Sequence, residues 1–455
     1  MRPSAESVGG DINNGPVVNS QWIFDTPVHS DTEVKLRQLL LELGNENKIL
    51  GVQVCAYKDG EVIIDTAAGA LGGDDPRPVQ PDSLFSVFSV TKGITAGMLH
   101  WLVDNGKLKL DENVANIWPE FGTNGKDRIK VHHVLNHTSG LHNALADLRQ
   151  ENPLLMCDWD ECLKRIAMSA PETEPGQKQL YHYISFGWLC GGIIERASGK
   201  KFQEILEEAF IHPLKIEGEL YVGIPPGVKS RLAELTLDTS DLREISAVSS
   251  RVDLPSTFQP SNMAKLAATM PALFNMLDIR RAIIPAANGH CSARALARYY
   301  ATLATGGVIP PPHSSSSRPP LGSHPHIPDF PRGNNSSECD NITSNGIPQN
   351  KDVSKIFSDL KVHDTFMGVG EYRNLVLPNG KFGLGFRRFS SNDGSFTCFG
   401  HSGSGGSTGF CDIRNRFAIA VTLNKMSFGD VTRKIVQLVC SELNIPSPDE
   451  FSGPN

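Results

Sequence analysis

Ser89-Val90-Thr91-Lys92 lies between an apolar approach, L-F-S-V-F, and a helical pattern that starts near Gly93. A serine in the first turn of a helix and a lysine three residues later share one face, so the hydroxyl and the amine can meet. The helix N-terminus also favours negative charge, which would help an alkoxide and, through the Ser89 N–H, a developing oxyanion. The spacing suits a nucleophile and its base, although S-x-x-K taken alone is more typical of an ordinary helix cap.

A second copy of S-x-x-K shows how little the motif means by itself. Residues 198–201, S-G-K-K, fall in a connector between two helical patterns, and we assign them no function. The first copy differs because two further elements follow it in order. They are the stretch Y-H-Y-I-S-F-G-W-L from Tyr181 and, far downstream, G-H-S-G-S-G-G from Gly400 between two strand patterns.

These three elements, in this order, resemble the serine beta-lactamase-like hydrolase family, which includes class C beta-lactamases, penicillin-binding proteins and family VIII esterases. The resemblance covers roughly residues 31 to 444, and H-T-S-G-L from His137 also looks like the family. It implies an α+β fold of the beta-lactamase/transpeptidase type. One antiparallel sheet is then formed from both chain ends, with flanking helices and an inserted, mainly helical lobe.

The resemblance implies a catalytic role for three residues. Ser89 is the acylated nucleophile and Lys92 its activating neighbour, while Tyr181 matches the tyrosine of the family's Y-x-N motif and moves protons. A phenol with an ordinary pKa of about 10 would be a poor base at neutral pH. We therefore expect the Lys92 cation to lower the pKa of Tyr181. The backbone N–H groups of Ser89 and Ser404, the latter on the strand edge, are expected to form the oxyanion hole.

Two positions depart from the family's motifs. Tyr183 stands where Y-x-N has asparagine, so a carboxamide that would contact a substrate amide is missing. His401-Ser402-Gly403 stands where lactam-processing members have K-T-G, and a histidine can donate a hydrogen bond but is not a permanent cation. We expect Tyr183, His401 and Gly403 to contact the substrate, and esters or neutral amides to be preferred over beta-lactams.

Two classes of function stay open. The first is a metal-independent serine hydrolase of carboxylesterase, amidase or peptidase type, which acts on a small ester or amide through an acyl-enzyme and needs no cofactor. The second is a weakly catalytic or non-catalytic scaffold that keeps the fold for assembly or partner binding. The intact Ser89, Lys92 and Tyr181 favour the first.

Two other motifs in the sequence are not assigned a function. A G-x-S-x-G match at Ser407 lacks the helix that a nucleophile elbow needs, and a histidine cluster from His132 to His142 lacks a zinc-site pattern.

The chain divides by composition into a sheet region, a helical region and segments without periodicity. Between Ile309 and Asn350, 25 of 42 residues are Pro, Ser, Gly or Asn, which predicts a segment unable to bury a core. The predicted map is a flexible leader at 1–30, a sheet region at 31–88 and 353–445, a mainly helical lobe at 89–308, a disordered insertion at 309–352 and a flexible tail at 446–455.

The net charge and the cysteine content limit the possible partners and the cellular location of the protein. The net charge is −7, from 43 basic and 50 acidic residues, and no basic block occurs, which argues against nucleic acid as a partner. The nine cysteines form no C-x-x-C pair and predict free thiols, and the start of the chain lacks a signal-peptide pattern; both favour the cytoplasm. The most apolar stretch, Leu180 to Ile194, is too short to span a bilayer, so we expect no membrane insertion. The chain also resembles eukaryotic, plant-type proteins that carry an atypical kinase ahead of this domain, which suggests fusion or association with a kinase-like domain.

Overall fold

A computed structural model of the protein describes residues 19–146, 148, 152–237, 260–313, 317–325, 354–390, 396–427 and 429–453. The strands within these residues are β1 (Gly51–Lys58), β2 (Glu61–Gly69), β3 (Phe85–Ser86), β4 (Leu220–Val222), β5 (Gly289–Cys291), β6 (Arg387–Ser390), β7 (Phe396–Ser402), β8 (Thr408–Asp412) and β9 (Phe417–Leu423).

The main sheet joins the two ends of the chain. Its strand order is β2-β1-β9-β8-β7-β6, and every neighbouring pair is antiparallel. The first hairpin turns at Asp59 and Gly60, whose φ angles of 53° and 85° suit the tight turns that connect such strands. Because β1 pairs with β9, the predicted sheet from both termini is confirmed. A smaller sheet, β3-β5-β4, lies partly within the region expected to be helical.

Helices cover both faces of the main sheet. The α-helices are α1 (Asp31–Asn45), α2 (Thr91–Asp104), α3 (Val114–Ile117), α4 (Val131–Leu135), α5 (Trp159–Met168), α6 (Ser185–Ser198), α7 (Phe202–Leu206), α8 (His212–Leu214), α9 (Pro260–Phe274), α10 (Leu277–Arg281), α11 (Ala293–Ala304), α12 (Val362–Met367) and α13 (Asp430–Glu442). Short 3₁₀ turns include Ser20–Trp22, Pro119–Gly122, Pro153–Cys157, Lys229–Arg231, Gly370–Leu375 and Asp449–Phe451, and Glu207–Ile211 forms a π-turn.

Two apolar cores lie on opposite faces of the sheet. Helices α1 and α13 pack together on one face through residues such as Leu36, Leu40 and Ile435. Helix α11 packs on β1, β8 and β9 from the other face, where the larger core continues into the helical lobe. Helix α2 lies within this larger core and is buried along most of its length, so Lys92 in its first turn is held inside the protein.

The described cysteines are all free thiols, and most of them are buried. Among the helices in the described part of the chain, none combines the length and the apolar character that a bilayer crossing requires.

The chain ends differ from the flexible segments expected at 1–30 and 446–455. Residues 1–18 and 454–455 lie outside the described residues, but single residues within 19–30 and 446–453 make specific contacts with the fold. The Phe24 N–H donates to the Ala67 carbonyl oxygen at 2.8 Å, beside β2. Phe451 is buried against Phe410, with ring centroids 5.4 Å apart, and Glu450 pairs with Arg387 at 3.0 Å. Isolated aromatic side chains anchor these ends, although their composition is polar.

The described part of the predicted insertion, residues 309–313 and 317–325, is also packed, so the prediction of disorder is wrong there. Arg294, in a buried pair with Glu219, also donates to the Ser317 hydroxyl at 2.8 Å. That hydroxyl and the His313 ring both bond to the buried Asp65 carboxylate, at 2.8 and 2.9 Å. The segment has little apolar surface to bury, but polar side chains hold it in place through hydrogen bonds. Residues 314–316 and 326–352 lie outside the described residues.

Candidate active site

The Ser89 hydroxyl and the Lys92 amine meet as the sequence predicts. Ser89 lies in the turn that leads into α2, and its Oγ is 3.1 Å from Lys92 Nζ. The amine also donates to the Ala286 carbonyl oxygen at 2.9 Å and is completely buried. Desolvation lowers the pKa of Lys92 well below its ordinary value, opposed only by the nearby Cys190 thiol. A neutral amine beside a hydroxyl can accept its proton, so the pair has the form of a nucleophile and its base.

Tyr181 completes this cluster, but its pKa moves in the direction opposite to the prediction. Lys92 Nζ lies 4.9 Å from the centre of the Tyr181 ring, and the phenol is hydrogen-bonded to Ser89. Desolvation raises the pKa of Tyr181, and the hydrogen bond with Ser89 only partly offsets this. The expected lowering by a Lys92 cation is wrong because burial disfavours the charge on Lys92 as well. The phenol is therefore neutral and suited to donate a proton.

His401 contacts Tyr181, and its ring is neutral. Its Nδ1–H donates to the Ser402 carbonyl oxygen at 2.9 Å, so Nε2, 3.4 Å from the Tyr181 hydroxyl, is left as an acceptor. Desolvation lowers the pKa of His401 to about 3, and the proximity of Lys92 adds to this effect. The sequence predicted that His401 donates a hydrogen bond to the substrate. In this arrangement Nε2 instead accepts one from Tyr181.

The turn that carries Gly403 and Ser404 packs against the chain just before Ser89. Strand β7 ends at Ser402, so Ser404 lies in the following turn and not on the strand edge as expected. A Cβ placed on Gly403 would stand 2.4 Å from the Val87 carbonyl oxygen, so only glycine allows this approach. Among the described residues, the N–H groups of Ser89 and Ser404 make no hydrogen bond. Both therefore have the free donors that an oxyanion hole needs.

Tyr183 places a second phenol beside the first. Its ring stands edge-on to Tyr181, with centroids 4.9 Å apart and an interplanar angle of 88°. This T-shaped contact is a favourable arrangement of aromatic rings. Tyr183 thus contributes an aromatic wall at the position where the family's motif has a carboxamide.

The sequence did not identify Phe382, which also packs against Tyr181. The two rings stack with centroids 5.4 Å apart. Phe382 and Tyr181 border a cleft of about 580 Å³, whose other lining residues are Gln179, Leu377, Pro378, Asn379, Gly380 and Lys381. Gln179 fixes this loop through hydrogen bonds with the Phe382 backbone N–H and carbonyl oxygen. The sequence P-N-G at 378–380 indicates a turn in this loop, but it does not indicate that the loop packs against Tyr181.

The alternative motifs have structural roles. Ser407 in the G-x-S-x-G match is buried, accepts the Leu423 N–H at 3.1 Å and precedes strand β8, so the prediction that it is no nucleophile elbow is confirmed. His137 is buried against Tyr181 and accepts the His182 N–H at 3.1 Å. Within the described part of the chain, no group of three or more His, Cys, Asp or Glu residues is arranged to hold a metal ion.

The fold and this cluster define a protein of the beta-lactamase/transpeptidase type. The chain belongs to the Beta-lactamase family, whose model matches residues 36–334. The Esterase/beta-lactamase LipL of Mycobacterium tuberculosis is 33% identical over 57% of this chain and 59% of its own length. The chain thus spans about three fifths of that relative.

Solved structures agree with this assignment. A penicillin-binding protein homologue from Caulobacter crescentus superposes with a TM-score of 0.66 and 27% identity, over 92% of this chain and 98% of its own. A family VIII carboxylesterase superposes with a TM-score of 0.68 over 92% of this chain and 99% of its own, and its 22% identity supports the shared fold.

Proposed function

We propose that the protein is a metal-independent serine hydrolase that cleaves neutral esters through an acyl-enzyme on Ser89. The observation that carries this proposal is the fully buried Lys92 amine, 3.1 Å from the Ser89 hydroxyl. Burying a lysine that has no carboxylate partner is costly for a structural residue. It is useful for a base, because the lowered pKa leaves a neutral amine at the pH of the cell.

Acylation begins with transfer of the Ser89 proton to Lys92. The Ser89 oxygen then attacks the ester carbonyl, and the N–H groups of Ser89 and Ser404 hold the negative charge that develops on the carbonyl oxygen. Tyr181 donates its proton to the departing alkoxide and recovers one from the Lys92 ammonium. The alcohol leaves, and Ser89 carries the acyl group.

Deacylation uses the same groups with water as the nucleophile. Neutral Lys92 takes the proton from the attacking water. Tyr181 donates its proton to the departing Ser89 oxygen and recovers one from the Lys92 ammonium. Nε2 of His401 accepts a hydrogen bond from the phenol, which supports a role in orienting Tyr181 between these steps. The reaction then consumes one ester and one water and releases one acid and one alcohol.

The charge around the site favours a neutral substrate. A permanent cation at the third motif would anchor a carboxylate, but His401 is neutral and turned toward Tyr181. Arg387, whose charge acts on both Tyr181 and His401, is paired with Glu450. Lys381 also lines the cleft, but its side chain is exposed to solvent, where its charge is screened. The aromatic rings of Tyr181, Tyr183 and Phe382 therefore favour an ester with an apolar acyl or alcohol group over a charged lactam.

A fluorophosphonate probe, together with a comparison of substrates, tests the proposal. The probe should label Ser89 in the wild type and in Ser407→Ala, and labelling should disappear in Ser89→Ala. A short p-nitrophenyl ester should be hydrolysed with a higher kcat/KM than nitrocefin. Faster turnover of nitrocefin would refute the preference for esters. Absence of labelling and turnover would refute the hydrolase and indicate a non-catalytic scaffold. A cytoplasmic location and a kinase-like partner stay predictions, which fractionation and co-purification can test.

A further inference from the structure

Phe88, directly before Ser89, has a backbone conformation that residues other than glycine rarely adopt. Its φ of 46° lies in the left-handed region. The side chain is buried and packs edge-on against Phe274, with ring centroids 5.0 Å apart, so the strained residue lies within the core. Such a conformation persists only where its surroundings hold it, and it occurs preferentially at functional sites. Some neighbouring group must therefore hold the backbone of Phe88 in this conformation, next to the proposed nucleophile.

The Thr91 hydroxyl makes the contacts that such a fastening requires. It donates to the Phe88 carbonyl oxygen and accepts the Gly289 N–H at 2.8 Å. Thr91 is completely buried, and a Cβ on Gly289 would lie 2.6 Å from its hydroxyl oxygen, so glycine lets strand β5 come this close. The Gly289 carbonyl oxygen in turn accepts the Val87 N–H at 2.9 Å. Val87 and Thr91, which lie on either side of Phe88, are thus both hydrogen-bonded to Gly289 in β5.

The same short segment contacts the turn that carries Ser404. Gly403 approaches the Val87 carbonyl oxygen so closely that any side chain would collide with it. A shift of the backbone at Phe88 would therefore change the position of the Ser89 N–H relative to the Ser404 N–H. Oxyanion donors act only when both point to the place where the charge develops.

We propose that Thr91 is a positioning residue, whose hydroxyl holds Phe88 in the left-handed conformation and thereby aligns Ser89 with the Ser404 turn. This inference rests on the proposed function, because the aligned groups matter only if Ser89 is acylated. Misalignment should weaken binding of the transition state more than that of the substrate, and so lower kcat with little change in KM.

Helix α2 offers a matched control one turn later. The Thr95 hydroxyl is equally buried and donates to the Pro285 carbonyl oxygen at 2.8 Å, but it does not contact Phe88. We expect Thr91→Val to lower kcat for a p-nitrophenyl ester by about 10- to 100-fold, less than the ~10²–10³-fold that complete loss of an oxyanion donor costs. Thr95→Val should keep kcat within about threefold, and Thr91→Ser, which restores the hydroxyl, should do the same.

Crystal structures of the two valine variants add a readout that does not depend on activity. Phe88 should leave the left-handed region in Thr91→Val and keep it in Thr95→Val. The inference is overturned if Phe88 keeps its φ in Thr91→Val, or if Thr95→Val lowers kcat as much as Thr91→Val does. A wild type that hydrolyses no ester, combined with the expected change at Phe88, would instead refute the proposed function and support the fastening role.

Discussion

Replacing Lys92 by methionine tests the buried amine, because methionine has a similar length but no charge and no N–H group. In the wild type, Nζ lies 3.1 Å from Ser89 Oγ and 2.9 Å from the Ala286 carbonyl oxygen. Burial lowers the pKa of Lys92, so the folded protein keeps the amine neutral over a pH range in which the unfolded chain is protonated. The substitution should change both the rate and the pH dependence of stability.

The effect on rate follows from the proposed role as a base. General base catalysis contributes about 10²- to 10⁴-fold, so kcat for a short ester should fall by that factor in Lys92→Met. This corresponds to about 2.7–5.4 kcal/mol of transition-state stabilisation at 1.36 kcal/mol per tenfold. KM should change little, because Lys92 contacts Ser89 and not the substrate. In the wild type, activity should rise with pH as Lys92 loses its proton.

The buried Lys92 amine should make the free energy of unfolding change with pH in a defined direction. Between the lowered pKa of folded Lys92 and the unfolded value of about 10.4, the unfolded state binds one more proton than the folded state. The free energy of unfolding therefore rises with pH by about 1.4 kcal/mol per unit from this group. Buried cysteines with raised pKa values oppose this trend at alkaline pH. Subtracting the Lys92→Met value cancels their contribution.

Urea unfolding at several pH values measures this difference. Lys126→Met is the matched control, because the Lys126 side chain is also buried and desolvation lowers its pKa to about 8. Its amine donates to the Thr123 and Ser169 carbonyl oxygens, neither of which belongs to the site. That variant should lose its own pH-dependent contribution above about pH 8 and keep wild-type kcat. A stability difference between wild type and Lys92→Met that does not vary with pH, or an unchanged kcat, would refute the assignment.

Two further substitutions test the site and the fold. Tyr181→Phe removes the hydroxyl that contacts His401 and should lower kcat by about 10²-fold, within the range for a lost proton donor, with a normal melting curve; an unchanged kcat would exclude Tyr181 as the acid. Arg294→Met leaves the buried Glu219 carboxylate, now 2.7 Å from the guanidinium, without its partner and should cost about 3–5 kcal/mol in urea unfolding, whereas a loss below 1 kcal/mol would contradict the assigned packing.

The sequence predicted the strands of the sheet and the proximity of Ser89 to Lys92 because both depend on local patterns. Residues that alternate on both sides of Asp59 and Gly60 suit the first hairpin, and the three-residue spacing places Lys92 beside Ser89. The position of Tyr181 came from its motif, since no local pattern could bring it to α2. These features follow from periodicity and resemblance, which a single sequence carries.

Other features depend on contacts between distant segments. The pKa of Tyr181 was predicted with the wrong sign because burial of both the phenol and Lys92 outweighs their proximity. The packing of Ser317 depends on Asp65 and Arg294, which are far away in the chain and unrelated in pattern. Phe382 was missed for the same reason. The composition of a segment shows how little apolar surface it can bury, but it does not show which polar partners the rest of the fold supplies.

Mass spectrometry of protein quenched in acid during turnover tests the central claim most directly. A slowly hydrolysed p-nitrophenyl ester should add the mass of its acyl group to the intact chain, and peptide mapping should locate that mass on Ser89. Lys92→Met should show a much smaller acylated fraction at the same time point. Continued hydrolysis without a mass increase, or an acyl group on another residue such as Ser407, would contradict the account.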